Sequence, residues 1–185
     1  MKIPFIKAKN FTKGRGGKKV KLIVIHTMES GEQPNKAKQV ALWFAGKTAP
    51  DASAHYCIDD KHIVSSVDEK DTAWACAQGD VNKTSISIEL AGKASQTKTQ
   101  WNDKYSAAML ALTANLVAEL CIKYDIPVKK LTPNQVRTGS GIIGHYDVTL
   151  GYRIQGGHTD PGKNFPWKDF IAMVESEYTT LKGNK

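Results

Sequence analysis

The sequence predicts an α/β fold: a single domain with a central mixed β-sheet of about five or six strands, flanked by helices. Three observations carry this. Short apolar, β-branched runs such as Leu22-Ile23-Val24-Ile25 and Ile142-Ile143 read as buried strands. They alternate with stretches whose apolar residues recur at intervals of three and four, the period of a helix packed on one side. One strand pair, residues 53–58 and 63–67, is joined by Asp59-Asp60-Lys61 and reads as a hairpin, so the sheet must be mixed rather than wholly parallel.

Taken in order, residues 1–19 read as a basic, irregular arm, because Gly14, Gly16 and Gly17 argue against regular structure there. The first strand covers about 20–26. Asn35 is placed to cap a helix carrying Ala37, Val40, Ala41, Trp43 and Phe44, which Gly46 and Pro50 end. In Ser85-Ile86-Ser87-Ile88-Glu89-Leu90 a period of two sends the apolar residues to one face and Ser85, Ser87 and Glu89 to the other. Residues 103–124 form the longest helix, with a wide stripe through Leu110, Ala114, Val117 and Cys121. A further short strand holds Ile142 and Ile143, and Pro166 opens the last helix.

At 185 residues the chain suits one domain with a substantial core. A formal charge of +8 favours an anionic partner such as cell-wall polymer, nucleic acid or an acidic membrane surface. Lys13, Arg15, Lys18, Lys19 and Lys21 concentrate part of that charge in a solvated arm. Cys57, Cys76 and Cys121 lack any Cys-x-x-Cys spacing and are odd in number, so they read as free thiols. The first residues carry no apolar leader pattern and no segment reads as membrane-spanning, so the expectation is synthesis in the cytoplasm without a signal peptide and no membrane insertion.

Chemistry concentrates in two stretches, Gly141-Ile142-Ile143-Gly144-His145-Tyr146-Asp147 and Gly157-His158-Thr159-Asp160-Pro161-Gly162. His145 stands where a strand ends and a loop begins, and Gly144 lets backbone approach closely beside it. Asp160 is restrained by the proline that follows. His26 ends the apolar run 22–25, as a central strand would deliver a ligand to the sheet's carboxyl edge. Two nitrogens and one oxygen make a catalytic rather than a structural zinc set, because the fourth tetrahedral position stays open. His55 reads as a buried structural histidine, Tyr56 as a cleft residue, and Asp147 as a group that orients His145 or its loop.

Set side by side, Val24-Ile25-His26-Thr27, Ser53-Ala54-His55-Tyr56, Ala73-Trp74, Asn82 with Ser85-Ile86-Ser87-Ile88-Glu89, Gly144-His145-Tyr146-Asp147 and Thr159-Asp160-Pro161-Gly162-Lys163 resemble a known family. It is that of the zinc-dependent N-acetylmuramoyl-L-alanine amidases, which includes phage endolysins and is related to peptidoglycan recognition proteins. The resemblance runs from about residue 20 to 170. It implies one Zn2+ per chain on His26, His145 and Asp160, a monomer, and bacterial peptidoglycan as substrate. The bond cut would be the amide between N-acetylmuramic acid and the L-alanine of the stem peptide. It also implies a catalytic domain over 20–181 with no separate wall-binding domain, a role as a phage or prophage endolysin, and action on the wall after release.

Three positions depart from the pattern. Ala54 stands where some members place a catalytic tyrosine; members with alanine there carry a glutamate at the end of the following strand, which Glu89 matches. Ala75 replaces a histidine that many members use. His158 stands where a lysine is often found, so the resemblance gives His158 the oxyanion-stabilising role and Glu89 the proton transfers. Two other classes compete with this reading. The His-Tyr-Asp triplet also suits an iron oxygenase, but the long helix does not fit an all-β barrel. A non-catalytic peptidoglycan-binding module of the same fold is the alternative, and the complete ligand set argues against it. No aromatic-rich or helix-turn-helix signature accompanies the basic arm, so no nucleic acid partner is expected.

Overall fold

The computed structural model describes residues 3–183, and its core is a five-stranded sheet. In chain order the elements are β1 (Phe11–Thr12), β2 (Leu22–Thr27), α1 (Lys36–Ala45), β3 (Tyr56–Ile58), β4 (Ile63–Ser65), β5 (Thr72–Ala73) and α2 (Gly79–Thr84). There follow β6 (Ser85–Leu90), α3 (Lys98–Trp101), α4 (Lys104–Tyr124), a 3-10 turn at Pro133–Gln135, β7 (Gly141–Gly144), α5 (His145–Tyr152) and α6 (Trp167–Gly183). The sheet order is β4-β3-β6-β2-β7, with β3, β6, β2 and β7 parallel and β4 antiparallel at the edge. The predicted mixed sheet is therefore present, and its five strands are the five read from the sequence. β1 and β5 form a separate antiparallel pair.

Both faces of the sheet are covered. Ile23, Ile25, Ile86, Ile88 and Ile142 pack with residues of α4 and α6, including Val117 and Phe170. On the opposite face Leu22, Val24 and Ile143 meet Val81, Val136 and Val148. This two-sided burial explains the unbroken apolar run of β2. It also buries the polar face of β6: Ser85 and Ser87 are fully enclosed, and neither hydroxyl has a hydrogen-bond partner.

Several boundaries and contacts differ from expectation. The strand predicted over 53–58 starts only at Tyr56; before it the backbone makes separate bonds, His55 N–H to Ser87 O, Ser66 N–H to His55 O and Ser53 N–H to Trp74 O, instead of extending the ladder. Asn35 sits before α1 in a left-handed conformation without a side-chain cap. Asp59 supplies the cap from another segment, accepting the Ala37 N–H at 3.0 Å. Asp103 does cap α4, accepting from Ser106 N at 2.8 Å. At 21 residues α4 is long and apolar enough to cross a membrane by length and composition, contrary to the sequence reading; one of its faces lies in the core.

The described part of the expected irregular arm is built into the fold. Ile6 and Ala8 donate backbone hydrogen bonds to Ser65 O and Ser66 O, using groups that an edge strand leaves unpaired. Phe11 and Thr12 form β1, and Gly16 and Gly17, with φ of 58° and 75°, turn the chain back. Arg15 is buried rather than solvated: its guanidinium donates to Glu69 O at 2.7 Å and to Lys83 O and Ser85 O at 3.0 Å each. Lys13, Lys18 and Lys19 remain exposed. Cys57, Cys76 and Cys121 are buried free thiols.

Candidate active site

Register assembles the site. On β2, Leu22 and Val24 face the second core cluster, so by alternation His26 faces that side too. In the parallel ladder His26 lies directly beside Glu89 of β6. On the other flank Val24 pairs with Ile143 and Ile25 with Gly144, so His145 follows at the next position. Three neighbouring parallel strands thus deliver His26, Glu89 and His145 to one face at their carboxyl ends, where open α/β sheets place ligand sites.

His145 opens α5 where the sequence suggested a loop. Asp147 accepts the Gly144 N–H at 2.9 Å, a capping bond across the first turn, and is itself held by Lys130 Nζ at 2.6 Å. This anchors the turn that carries His145. Asp160 reaches the same point from the following loop, its backbone carbonyl accepting the Tyr146 N–H at 2.8 Å. Gly144 matters here: a Cβ on it would lie 2.8 Å from Pro161 Cδ, so only glycine lets the Asp160-Pro161 segment come this close.

His26, His145 and Asp160 are all buried, at 2%, 3% and 4% exposure. Each Nδ1 lies 3.2 Å from a different oxygen of the Asp160 carboxylate, and the imidazole centroids are 4.7 Å apart. Bonds of about 2.0–2.1 Å in a zinc tetrahedron put neighbouring donor atoms roughly 3.3 Å apart. The residues present therefore fit that metal in type, spacing and burial. Burial alone would push the Asp160 carboxyl up, but hydrogen bonds and charge from His145 and His26 outweigh it and hold it well below the usual carboxylate range. Burial lowers His145, favouring the neutral imidazole that a metal requires.

Glu89 is enclosed differently. Its Oε2 is buried with no hydrogen-bond partner, and burial, reinforced by Asp160 and Glu29, raises its affinity for a proton well above that of an ordinary carboxyl. A carboxyl tuned upward beside a ligand cluster has the properties of a general acid and base. His158 occupies the rim: its side chain is 66% exposed, its ring stacks on His145 at 4.4 Å, and its Nδ1 is 3.6 Å from Asp160 Oδ1.

A cleft of about 500 Å3 opens over these residues, with Trp43, Trp74 and Asn82 in its walls. Among the described residues no lysine or arginine lines it, so the excess positive charge lies elsewhere on the surface. Tyr56, expected at the cleft, points to the other side of the sheet, where its hydroxyl donates to Glu69 Oε1 at 2.7 Å. Sequence reasoning put Trp43 in the apolar face of α1, yet it is half-exposed and faces the cleft. Ala37, Ala41 and Phe44 alone make the buried stripe, and Val40 and Trp43 fall beside it.

His55 is fully buried behind β6, with Nδ1 accepting the Ser87 N–H at 3.0 Å and Nε2 2.9 Å from the Arg15 guanidinium. Burial, and then the Arg15 charge, pushes its pKa down to about 3. The unfolded chain takes up a proton near pH 6.5 that the native state refuses, so this stabilisation is complete above 6.5 and is lost as pH falls. The expected loss is roughly 1.4 kcal/mol per unit below 6.5, ending near pH 3. Urea unfolding at pH 7, 5.5 and 4.5 checks it: a His55→Gln variant should show a shallower acid slope, and equal slopes would remove His55 as the cause.

A mixed sheet with a buried His-His-Asp group at the floor of an open cleft is the frame of a peptidoglycan amidase. Residues 16–163 match the model of the N-acetylmuramoyl-L-alanine amidase family, and the chain belongs to that family. It is thereby a hydrolase of a linear amide bond. Three solved structures share the fold. The Staphylococcus aureus hydrolase AmiA, in complex with its ligand, has a TM-score of 0.73 at 18% identity, covering 99% of this chain and 86% of that one. A selenomethionine derivative of AmpD has a TM-score of 0.66 at 20% identity, covering 93% and 94%. A mutant endolysin from Bacillus subtilis has a TM-score of 0.64 at 19% identity, covering 94% and 99%. No curated protein matches the sequence.

Proposed function

We propose that the chain is a zinc-dependent endolysin of phage or prophage origin, with His26, His145 and Asp160 holding one zinc ion and Glu89 and His158 acting on the substrate. The observation that carries this is the pairing of a buried His-His-Asp group with a buried Glu89, one strand away, whose Oε2 has no hydrogen-bond partner and whose proton affinity is raised by burial. A non-catalytic binding module has no use for such a carboxyl. The endolysin role draws support from the fold shared with the Bacillus subtilis endolysin.

Bound at this group, zinc would supply Lewis acidity, lowering the pKa of a coordinated water from 15.7 to about 7 and polarising the amide carbonyl. Glu89 takes a proton from the attacking water and returns it to the departing nitrogen, so one carboxyl serves as base and then acid. The carbon–nitrogen bond breaks, leaving a carboxyl on the muramic acid and a free amine on the L-alanine. His158, at the rim and stacked on His145, donates an N–H to the carbonyl oxygen as negative charge develops there. Trp43 and Trp74 give the cleft flat walls for sugar or peptide.

Digestion of peptidoglycan by the zinc-loaded protein should release stem peptides with unblocked L-alanine amines and leave glycan strands intact, as read by mass spectrometry. Shortened glycan without new amines would overturn the assignment. His158→Ala should keep its zinc and lose about 10²–10³-fold in turnover, the usual cost of one oxyanion donor. Full turnover in that variant would leave His158 outside the reaction.

A further inference from the structure

We propose that Cys76 is the positioning residue of His26: once a metal takes the place of the proton on Nδ1, the Cys76 sulfur accepts the Nε2–H and holds the ring in the tautomer that the metal requires. The proposal rests on the zinc reading of the site. His26 Nδ1 is the nitrogen that faces the cluster, 3.2 Å from Asp160 Oδ2. Its other nitrogen, Nε2, lies 3.8 Å from Cys76 Sγ, and both residues are 2% exposed. Among the described residues Nε2 has no other hydrogen-bond partner.

The chemistry follows from the proton count of an imidazole. A neutral ring carries one N–H, so a nitrogen that offers its lone pair to a metal forces the proton onto the other. That N–H is buried here, and a buried donor left without an acceptor costs free energy. Metal-ligating histidines ordinarily give this proton to a carboxylate, a carbonyl or water. In this chain a thiol sulfur stands in that place, a weaker acceptor at a longer distance. Cys76 faces the nitrogen turned away from the cluster, which separates it from the ligand set.

The thiol is itself held in place. The Cys76 N–H donates to Asn82 Oδ1 at 2.8 Å, and the Asn82 N–H donates to Gln78 O at 3.0 Å, tying the loop after β5 to α2. This gives Asn82, which lines the cleft but touches none of the three ligands through a hydrogen bond, a defined part: it sets the loop that sets the sulfur that sets His26. A run of contacts from α2 to His26 is thereby built from residues fifty or more positions away in sequence, Cys76 being fifty.

The test compares Cys76→Val, which keeps shape and removes the acceptor, with Cys76→Ser, which restores one. Zinc affinity is read by competition with a chromogenic chelator, and the His26 Nε2–H is followed by nitrogen-15 NMR of the zinc-loaded proteins. Cys76→Val should weaken zinc about 10–100-fold, the range found when a ligand's hydrogen-bond partner is removed. It should also speed exchange of the Nε2–H, while Cys76→Ser recovers most of the affinity and the slow exchange. Unchanged affinity and exchange in Cys76→Val would overturn the proposal, as would a loss that serine fails to rescue. Should Cys76→Val not fold, the wild-type spectrum decides: a proton on Nδ1 in the zinc-loaded protein sinks the idea. A wild-type protein that binds no zinc would instead fail the reading on which the proposal rests.

Discussion

Replacing Glu89 by glutamine is expected to cut turnover by about 10²–10⁴-fold while fold and zinc content stay intact. The side chains are nearly isosteric, and Glu89 Oε2 makes no hydrogen bond that an amide would break. The substitution also removes a carboxyl whose ionisation is opposed by its burial and by nearby Asp160 and Glu29, so the variant should be no less stable. What it would remove is the proposed proton transfer. A primary amide can neither take the water's proton nor hand one to the leaving nitrogen, and no other carboxyl stands beside His26 in the strand register. Turnover on soluble muropeptides, with zinc content and thermal unfolding measured on the same samples, checks the point. Near-normal turnover in a fully metallated variant would reduce Glu89 to a buried strand residue.

Glu89 also shows how far sequence carries. Its position came from alternation alone, since Ile86, Ile88 and Leu90 fix which face it occupies, and the ladder places it beside His26. His26 was legible because an apolar run ends on it. The helix that opens at His145 leaves little trace in the sequence, although glycine at 144 with Asp147 three residues on is a helix-start pattern; with Gly151 interrupting so short a segment, its period is too brief to register. Cys76 was invisible for another reason. Its partner is fifty residues away, and no local pattern marks a cysteine that will meet an imidazole across the fold. Arg15 misled because a basic, glycine-rich stretch reads as solvated, whereas its guanidinium satisfies three backbone carbonyls on two segments. Composition reports charge and not where the charged group finds its partners.

Substituting Asp160 should have the largest effect of any single change. In Asp160→Ala zinc affinity should fall by more than the roughly 10–100-fold that removing a ligand's supporting partner costs, and activity should drop to the metal-free level. The geometry explains why the carboxylate cannot be spared. It alone faces both imidazoles, at 3.2 Å each, and it is the only anionic member of the group. Without it two neutral nitrogens remain, one short of the three protein ligands that a catalytic zinc site uses. His158, 3.6 Å from Asp160 Oδ1 but 66% exposed, is too loosely held at the rim to supply the missing bond in the same geometry. Chelation of the wild-type protein should abolish stem-peptide release, and added zinc should restore it; the same addition should fail in Asp160→Ala at matched protein concentration. Metal-free wild-type protein that still released stem peptides at full rate would sink the zinc assignment. Full zinc content in Asp160→Ala would move the third ligand elsewhere.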